Sequence, residues 1–132
     1  MKVVLDASAA LEIVGERARS KLFLEEIDRS DAVIAPDLFV PEVVNAVWKH
    51  HHFQALSVTA ASQQIDVAIE LVDEIVASME LFHEAFLLAR TAKRPAYDMF
   101  YLALARRQDA ILLTSDSSLK KEATRLGIQV IG

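Results

Sequence analysis

Lys2-Val3-Val4-Leu5-Asp6-Ala7 is the stretch on which the fold turns. Its apolar run is too short for a helix and carries adjacent β-branched valines, so it reads as a fully buried strand. Asp6 then stands where that strand stops. In a parallel α/β sheet, ligands bind in the crevice beyond the carboxyl ends of the strands, which aims Asp6 at a site rather than at a core. A strand-terminal Asp before Ala7-Ser8 also suits a helix cap, and taken singly that is the commoner arrangement.

Working outward, the composition bounds the chain around this strand. With 132 residues, 53% of them hydrophobic, and only 3 Gly and 3 Pro, residues 1–132 are expected to form a single domain. Such a domain buries roughly two-thirds of its unfolded surface. Zero Cys excludes disulfides, thiolate metal sites and thiol catalysis. No cationic segment followed by an apolar run suggests export, so a cytoplasmic protein is expected. No apolar run approaches the ~20 residues of a membrane span; even Val67 to Val76 is broken by Glu70, Asp73 and Glu74. The net charge of −5 is uneven, with 6 basic and 15 acidic residues over 1–89 but 8 basic and 4 acidic over 90–132. The basic third offers Arg90, Lys93, Arg94, Arg106, Arg107, Lys120, Lys121 and Arg125 to a nucleic acid, or simply solvated helix faces.

After the first strand, Ser8 to Val14 suits a short helix capped by Ser8 and stopped at Gly15. Arg17 to Ser30 is amphipathic, with Leu22, Phe23 and Ile27 on one side. Ala32 to Ala35 is a second buried strand closed by Pro36, and Asp37 to Pro41 is the turn into the next helix. Glu42 follows at once, in a first helical turn at the same end of the sheet as Asp6. Helical spacing sets Val40, Val43, Val44, Val47 and Trp48 against the core and places Asn45 where it can hold the Glu42 carboxylate. Alone, Glu42 would be an acid favoured by a helix N-terminus.

His50-His51-His52 point about 100° apart on a helix and do not converge on one ion. His83 has no histidine at i±3 or i±4. Ser57 to Asp73 reads as a long helix whose apolar arc is wide for a surface element, implying deep burial or a second packing partner. A short extended piece near Glu74 to Ser78 and a helix from Met79 to Ala92 come next. From Met99 to Ala105 the chain is apolar on every side, which marks a central packed helix opened by Asp98. An acid there needs a backbone cap or a metal, because an ionised carboxylate is costly to bury alone. Ala110 to Thr114 is a third parallel strand, and Asp116 lies just past its end. Ser117 to Leu126 makes the last helix, and Gln129 to Ile131 a closing strand.

Together these pieces resemble the PIN domain, and within it the toxin half of VapC-type toxin–antitoxin pairs. The resemblance rests on Val3-Val4-Leu5-Asp6-Ala7-Ser8, Pro41-Glu42-Val43-Val44-Asn45, Tyr97-Asp98 through Ala105, and Leu113-Thr114-Ser115-Asp116, in that order along the whole chain. It implies a three-layer α/β/α domain around a central, mainly parallel sheet. It also implies that Asp6, Glu42, Asp98 and Asp116 are the catalytic, metal-holding acids, supported by Ser8, Asn45 and Thr114. Independently, oxygen ligands without His or Cys select hard cations such as Mg²⁺ or Mn²⁺. By the resemblance the substrate is RNA, hydrolysed to a 5′-phosphate and a 3′-hydroxyl, and the partners are a cognate antitoxin and a second copy of the chain.

Two other classes compete. A haloacid-dehalogenase-like phosphatase also starts with an Asp after its first strand but needs another Asp two residues on, where Ser8 stands. An inert PIN-like module binding RNA or a partner protein needs the fold and not the metal, and divalent-ion-dependent cleavage separates it from a nuclease.

Overall fold

The computed structural model describes residues 1–132. Five strands, β1 (Lys2–Leu5), β2 (Ala32–Pro36), β3 (Glu74–Val76), β4 (Ile111–Leu113) and β5 (Val130–Ile131), form one sheet in the order β3-β2-β1-β4-β5. Every pairing is parallel. Seven helices connect them: α1 (Ala7–Val14), α2 (Ser20–Arg29), α3 (Phe39–Gln54), α4 (Val58–Glu70), α5 (Phe82–Ala92), α6 (Met99–Gln108) and α7 (Ser117–Arg125). They cover both faces of the sheet, giving three layers. No helix is long and apolar enough to cross a membrane.

The central position of β1 explains its sequence. Val3, Val4 and Leu5 are buried on both faces, and each such side chain contributes about 1.5–3 kcal/mol of transfer free energy. The chain runs outward from β1 through β2 to β3, then returns to β4 on the other flank. Strand order therefore reverses between β1 and β4, and the carboxyl ends of these two strands open the crevice in which sheets of this kind bind ligands. Leu5 pairs with Leu113, so the residues that follow them, Asp6 and Thr114, emerge side by side.

Several local expectations are corrected. Asp6, not Ser8, caps α1: its side chain accepts from the Ala9 N–H. The second helix starts only at Ser20, after Glu16 takes a left-handed φ of 51°, and Leu22 lies on its exposed side. Helix α3 begins at Phe39, two residues before Pro41, because a proline within the first turn gives up an N–H that has no helical partner. Its core stripe becomes Phe39, Val43 and Val47, at i, i+4 and i+8, which turns Val44 and Trp48 out to solvent. Along α4 only Ala68 is fully buried, while Ile65 packs half-buried on the core and Val67 is exposed, so this helix is not deeply sunk. Met79 lies in a single 3₁₀ turn, Ser78–Glu80, ahead of α5. The central helix α6 meets its expectation, with Met99 and Tyr101 to Ala105 buried.

Candidate active site

Asp6 is held from three directions. Its Oδ1 accepts from the Ala9 N–H at 2.9 Å and from Ser8 Oγ at 2.7 Å, and its Oδ2 accepts from Thr114 Oγ1 at 2.5 Å. The Asp6 N–H bonds the Leu113 carbonyl at 3.2 Å, so the ends of β1 and β4 are tied together beneath it. Burial pushes the carboxyl up to about 6, against those three hydrogen bonds and with help from the charge of Asp116.

Glu42 reaches the same crevice from the first turn of α3. Tyr101 OH donates to its Oε1 at 2.6 Å. Asn45 is exposed and makes no hydrogen bond to Glu42, so the positioning role expected of it belongs to Tyr101, from α6. Burial raises the Glu42 carboxyl above its usual range, opposed by the Tyr101 bond and reinforced by the charges of Asp98 and Asp6. Burial and Glu42 in turn lift the Tyr101 phenol far above its ordinary value, which keeps it a proton donor.

Asp98 precedes α6 but makes no capping bond to it. Its Oδ2 instead accepts from Arg94 Nη2 at 3.1 Å, while Arg94 Nη1 donates to the Ser118 carbonyl at 3.1 Å. Burial and the charge of Asp116 raise the Asp98 carboxyl despite Arg94. Asp116 is the N-cap of α7, its Oδ1 taking the N–H groups of Ser118 at 2.9 Å and Leu119 at 3.1 Å. Its own N–H donates to Thr114 Oγ1 at 3.0 Å.

The four acids thus form a chain of mutual repulsion on one rim: Asp6 with Asp116, Asp116 with Asp98, Asp98 with Glu42, and Glu42 with Asp6. They are not drawn into a three-ligand cluster. Oxygen bookkeeping shows what they offer. Glu42, Asp98 and Asp116 each have one carboxylate oxygen tied by a donor and the other without a hydrogen bond. Beside them, Ser115 Oγ is buried with no partner at all. Uncompensated acceptors in this number suit a hard dication that keeps several waters and takes only one or two carboxylates directly. The donor set fits Mg²⁺ or Mn²⁺.

A groove of about 400 Å³ opens from this rim, where Ser8, Glu42, Asn45 and Ser115 line it, and runs between α1 and α3. The histidine run does not converge: His51 Nδ1 donates to the Leu56 carbonyl at 2.6 Å, and His52 stacks on Trp48 at 5.0 Å. Much of the basic third is spent on ion pairs, Arg106 and Arg107 with Glu84 and Arg125 with Glu122, while Lys120 donates to the Gly132 carbonyl. Sequence reading missed Tyr101, Arg94 and Ser115. A tyrosine inside an otherwise apolar helix needs a partner for its hydroxyl, and Arg94 stands four residues before Asp98; both were available signals.

The chain is similar to known proteins along most of its length. The family model of the PIN domain matches residues 3–124. Ribonuclease VapC3 of Pyrobaculum aerophilum is 30% identical over 124 residues, 92% of this chain and 95% of the relative. The crystal structure of PAE2754 from Pyrobaculum aerophilum superposes with a TM-score of 0.77 at 20% identity, covering 98% of this chain and 83% of that one. VapBC2 from Rickettsia felis, bound to a DNA fragment from its promoter, gives 0.69 at 13% identity, covering 99% of this chain and 98% of that one. VapC20 of Mycobacterium tuberculosis, a sarcin-ricin-loop-cleaving toxin, gives 0.60 at 19% identity, covering 90% and 93%. At such identities these structures speak to the fold.

Proposed function

We propose that this chain, which belongs to the PIN-domain family, is a divalent-metal-dependent endoribonuclease and the toxin of a toxin–antitoxin pair. The observation that carries the reading is the rim of four acids at the strand-order reversal, three of them with one oxygen tethered and one open. No cysteine exists in the chain. Carboxylates that would hold a hard cation suit hydrolysis by water.

When bound, a hard cation supplies an activated water and neutralises the charge that grows on the scissile phosphate. The residues of the chain do the rest. The Ala9 and Ser118–Leu119 N–H groups and the Thr114 hydroxyl fix Asp6 and Asp116, and Tyr101 fixes Glu42. Arg94 offsets part of the negative charge at Asp98. RNA would enter along the groove between α1 and α3.

The partners in this reading are a second copy of the chain and an antitoxin. Exposed apolar side chains stand in two places, Met79, Phe82, Phe86 and Leu87 in and around α5 and Val44, Trp48 and Phe53 along α3, and these partners would cover such side chains. The test is incubation of total RNA with purified protein in Mg²⁺ and in EDTA, with the new ends mapped and Asp116→Asn run alongside. Cleavage that needs Mg²⁺ and Asp116 is expected. Undiminished cutting in EDTA, from protein free of contaminating nuclease, would overturn the metal mechanism.

A further inference from the structure

The groove does not end at the acid rim. Its far end is lined by Arg17, Lys49 and His50. Glu42 and His50 both lie on α3, eight residues and therefore about 12 Å apart along its axis. The first 89 residues hold only 6 basic side chains, and two of them, Arg17 and Lys49, meet in this groove. Neither takes part in any ion pair of the fold.

Arg17 stands instead against a group that cannot neutralise it. Its Nη2 lies 2.9 Å from Nδ1 and 3.0 Å from Nε2 of His50, donating to whichever ring nitrogen is bare. Burial and the Arg17 charge hold His50 below its ordinary value, so the ring serves as a neutral prop for the guanidinium. Glu12 is the one acid on this stretch of lining besides Glu42, and it accepts from the Arg19 N–H at 3.4 Å. The far end thus holds two cations that enter no ion pair, with Glu12 the one acid of the chain beside them.

We propose that Arg17, Lys49 and His50 form a subsite for a backbone phosphate of single-stranded RNA, with His50 about 12 Å along α3 from Glu42 at the acid rim. The proposal rests on the ribonuclease reading and deepens it. Arg17 offers a planar fork of donors that matches phosphate oxygens, and Lys49 a point charge beside it. RNA is favoured over an acidic peptide because the groove is continuous with the phosphodiester-cutting rim. Residues 1–89 carry 6 basic against 15 acidic side chains, so a cationic anchor among them, held at a fixed distance from the acids, also sets which phosphate is cut.

The experiment is fluorescence anisotropy of a short labelled single-stranded RNA with the full chain in EDTA, where binding is read without cleavage, over a range of salt. Arg17→Gln and Lys49→Gln should each weaken binding about tenfold, and each should lower the slope of log affinity against log salt by about 0.7. Arg17→Lys should restore most of the slope but less of the affinity. Arg29→Gln, whose residue pairs with Glu26 on α2, should change neither. Wild-type affinity and slope in both the Arg17 and Lys49 variants would overturn the proposal. Overturning it too would be loss in those variants of binding to an acidic peptide with RNA binding intact, which would give the groove end to a protein partner. The two readings fail separately: Arg17-dependent binding by a chain that never cuts RNA supports the subsite and refutes the activity, whereas metal-dependent cutting with Arg17-independent binding does the reverse.

Discussion

Replacing Asp6 by Asn should stabilise the metal-free protein, and the gain should grow with pH. The carboxyl is raised from 3.8 to about 6, so above that pH the folded state carries a charge it holds less well than the unfolded chain does. One pH unit corresponds to about 1.4 kcal/mol, which makes the ionised group cost about 3 kcal/mol at pH 7. Asn retains an acceptor for the Ala9 N–H and Ser8, while the Thr114 hydroxyl must turn and accept from the new amide. These neutral bonds are weaker than the charged ones, leaving a net gain of about 1–2 kcal/mol. For a domain of this size that is roughly 3–8 °C in Tm.

The sign follows from proton binding. A carboxyl with a raised folded-state pKa binds its proton more tightly when folded, so its stabilising contribution is complete below about pH 4 and is lost as pH rises through about 6. The advantage of Asp6→Asn should open across that window and level off above it. Melts of wild type, Asp6→Asn and Asp6→Ala in EDTA between pH 5 and 7.5 measure it. The Ala variant strands three donors and should be less stable than Asn by about 1–2 kcal/mol. Mg²⁺ at 100 times its Kd should add about 2.7 kcal/mol to wild type and less to either variant. An Asn variant less stable than wild type at pH 7 in EDTA, or an advantage equal at pH 5 and 7.5, would refute the reasoning.

Other outcomes test the supporting residues. Tyr101→Phe removes the donor to Glu42, so it should cost about 1–3 kcal/mol and raise the Mg²⁺ concentration needed for half-maximal stabilisation; an unchanged Mg²⁺ midpoint would separate Tyr101 from the site. Arg94→Gln removes a half-exposed ion pair and should shift stability by no more than about 1 kcal/mol, yet calorimetry should find Mg²⁺ bound several-fold more tightly because a competing cation has left Asp98. Weaker Mg²⁺ binding would reverse that assignment. Phe86→Glu, on the exposed side of α5, should convert a dimer to a monomer in light scattering and make Tm independent of protein concentration, and a monomeric wild type would remove the premise.

The sheet was legible because burial on both faces writes itself as unbroken apolar runs, Val3-Val4-Leu5 and Ile111-Leu112-Leu113, each followed by an acid within a few residues. The central helix was legible for the same reason. What the sequence hid was rotational. Val44 and Trp48 read as core because they share the i+4 spacing of Val43 and Val47, and only the start of α3 at Phe39 decides which stripe turns inward. The breadth of the α4 arc gave no measure of how shallowly that helix sits. Within the rim, positions could be read but partners could not: Asn45 was nearer to Glu42 in sequence, while Tyr101, 59 residues away, is the group that reaches it.

The choice posed by the sequence, helix cap or catalytic acid, turns out to join what the fold keeps together. Asp6 and Asp116 are both caps, of α1 and α7, and in each the cap bond goes to Oδ1. A carboxylate has two oxygens with about four acceptor sites, so capping through Oδ1 leaves Oδ2 of Asp116 without a hydrogen bond and Oδ2 of Asp6 to the Thr114 hydroxyl. The cap therefore aims the acid: helix N–H groups hold Oδ1 rigidly, their dipole favours the charge that repulsion from the other acids disfavours, and Oδ2 is presented at a fixed angle. Glu42 and Asp98 reach the same end by different tethers, Tyr101 and Arg94, because their helices offer them no capping bond. Substituting Asp116 by Ser would separate the two duties. Ser caps nearly as well as Asp, so the Asp116→Ser chain should keep its stability within about 1 kcal/mol of wild type in EDTA while losing cleavage and part of its Mg²⁺ stabilisation. A variant that melts normally and still cuts RNA would leave Asp116 a cap and nothing more.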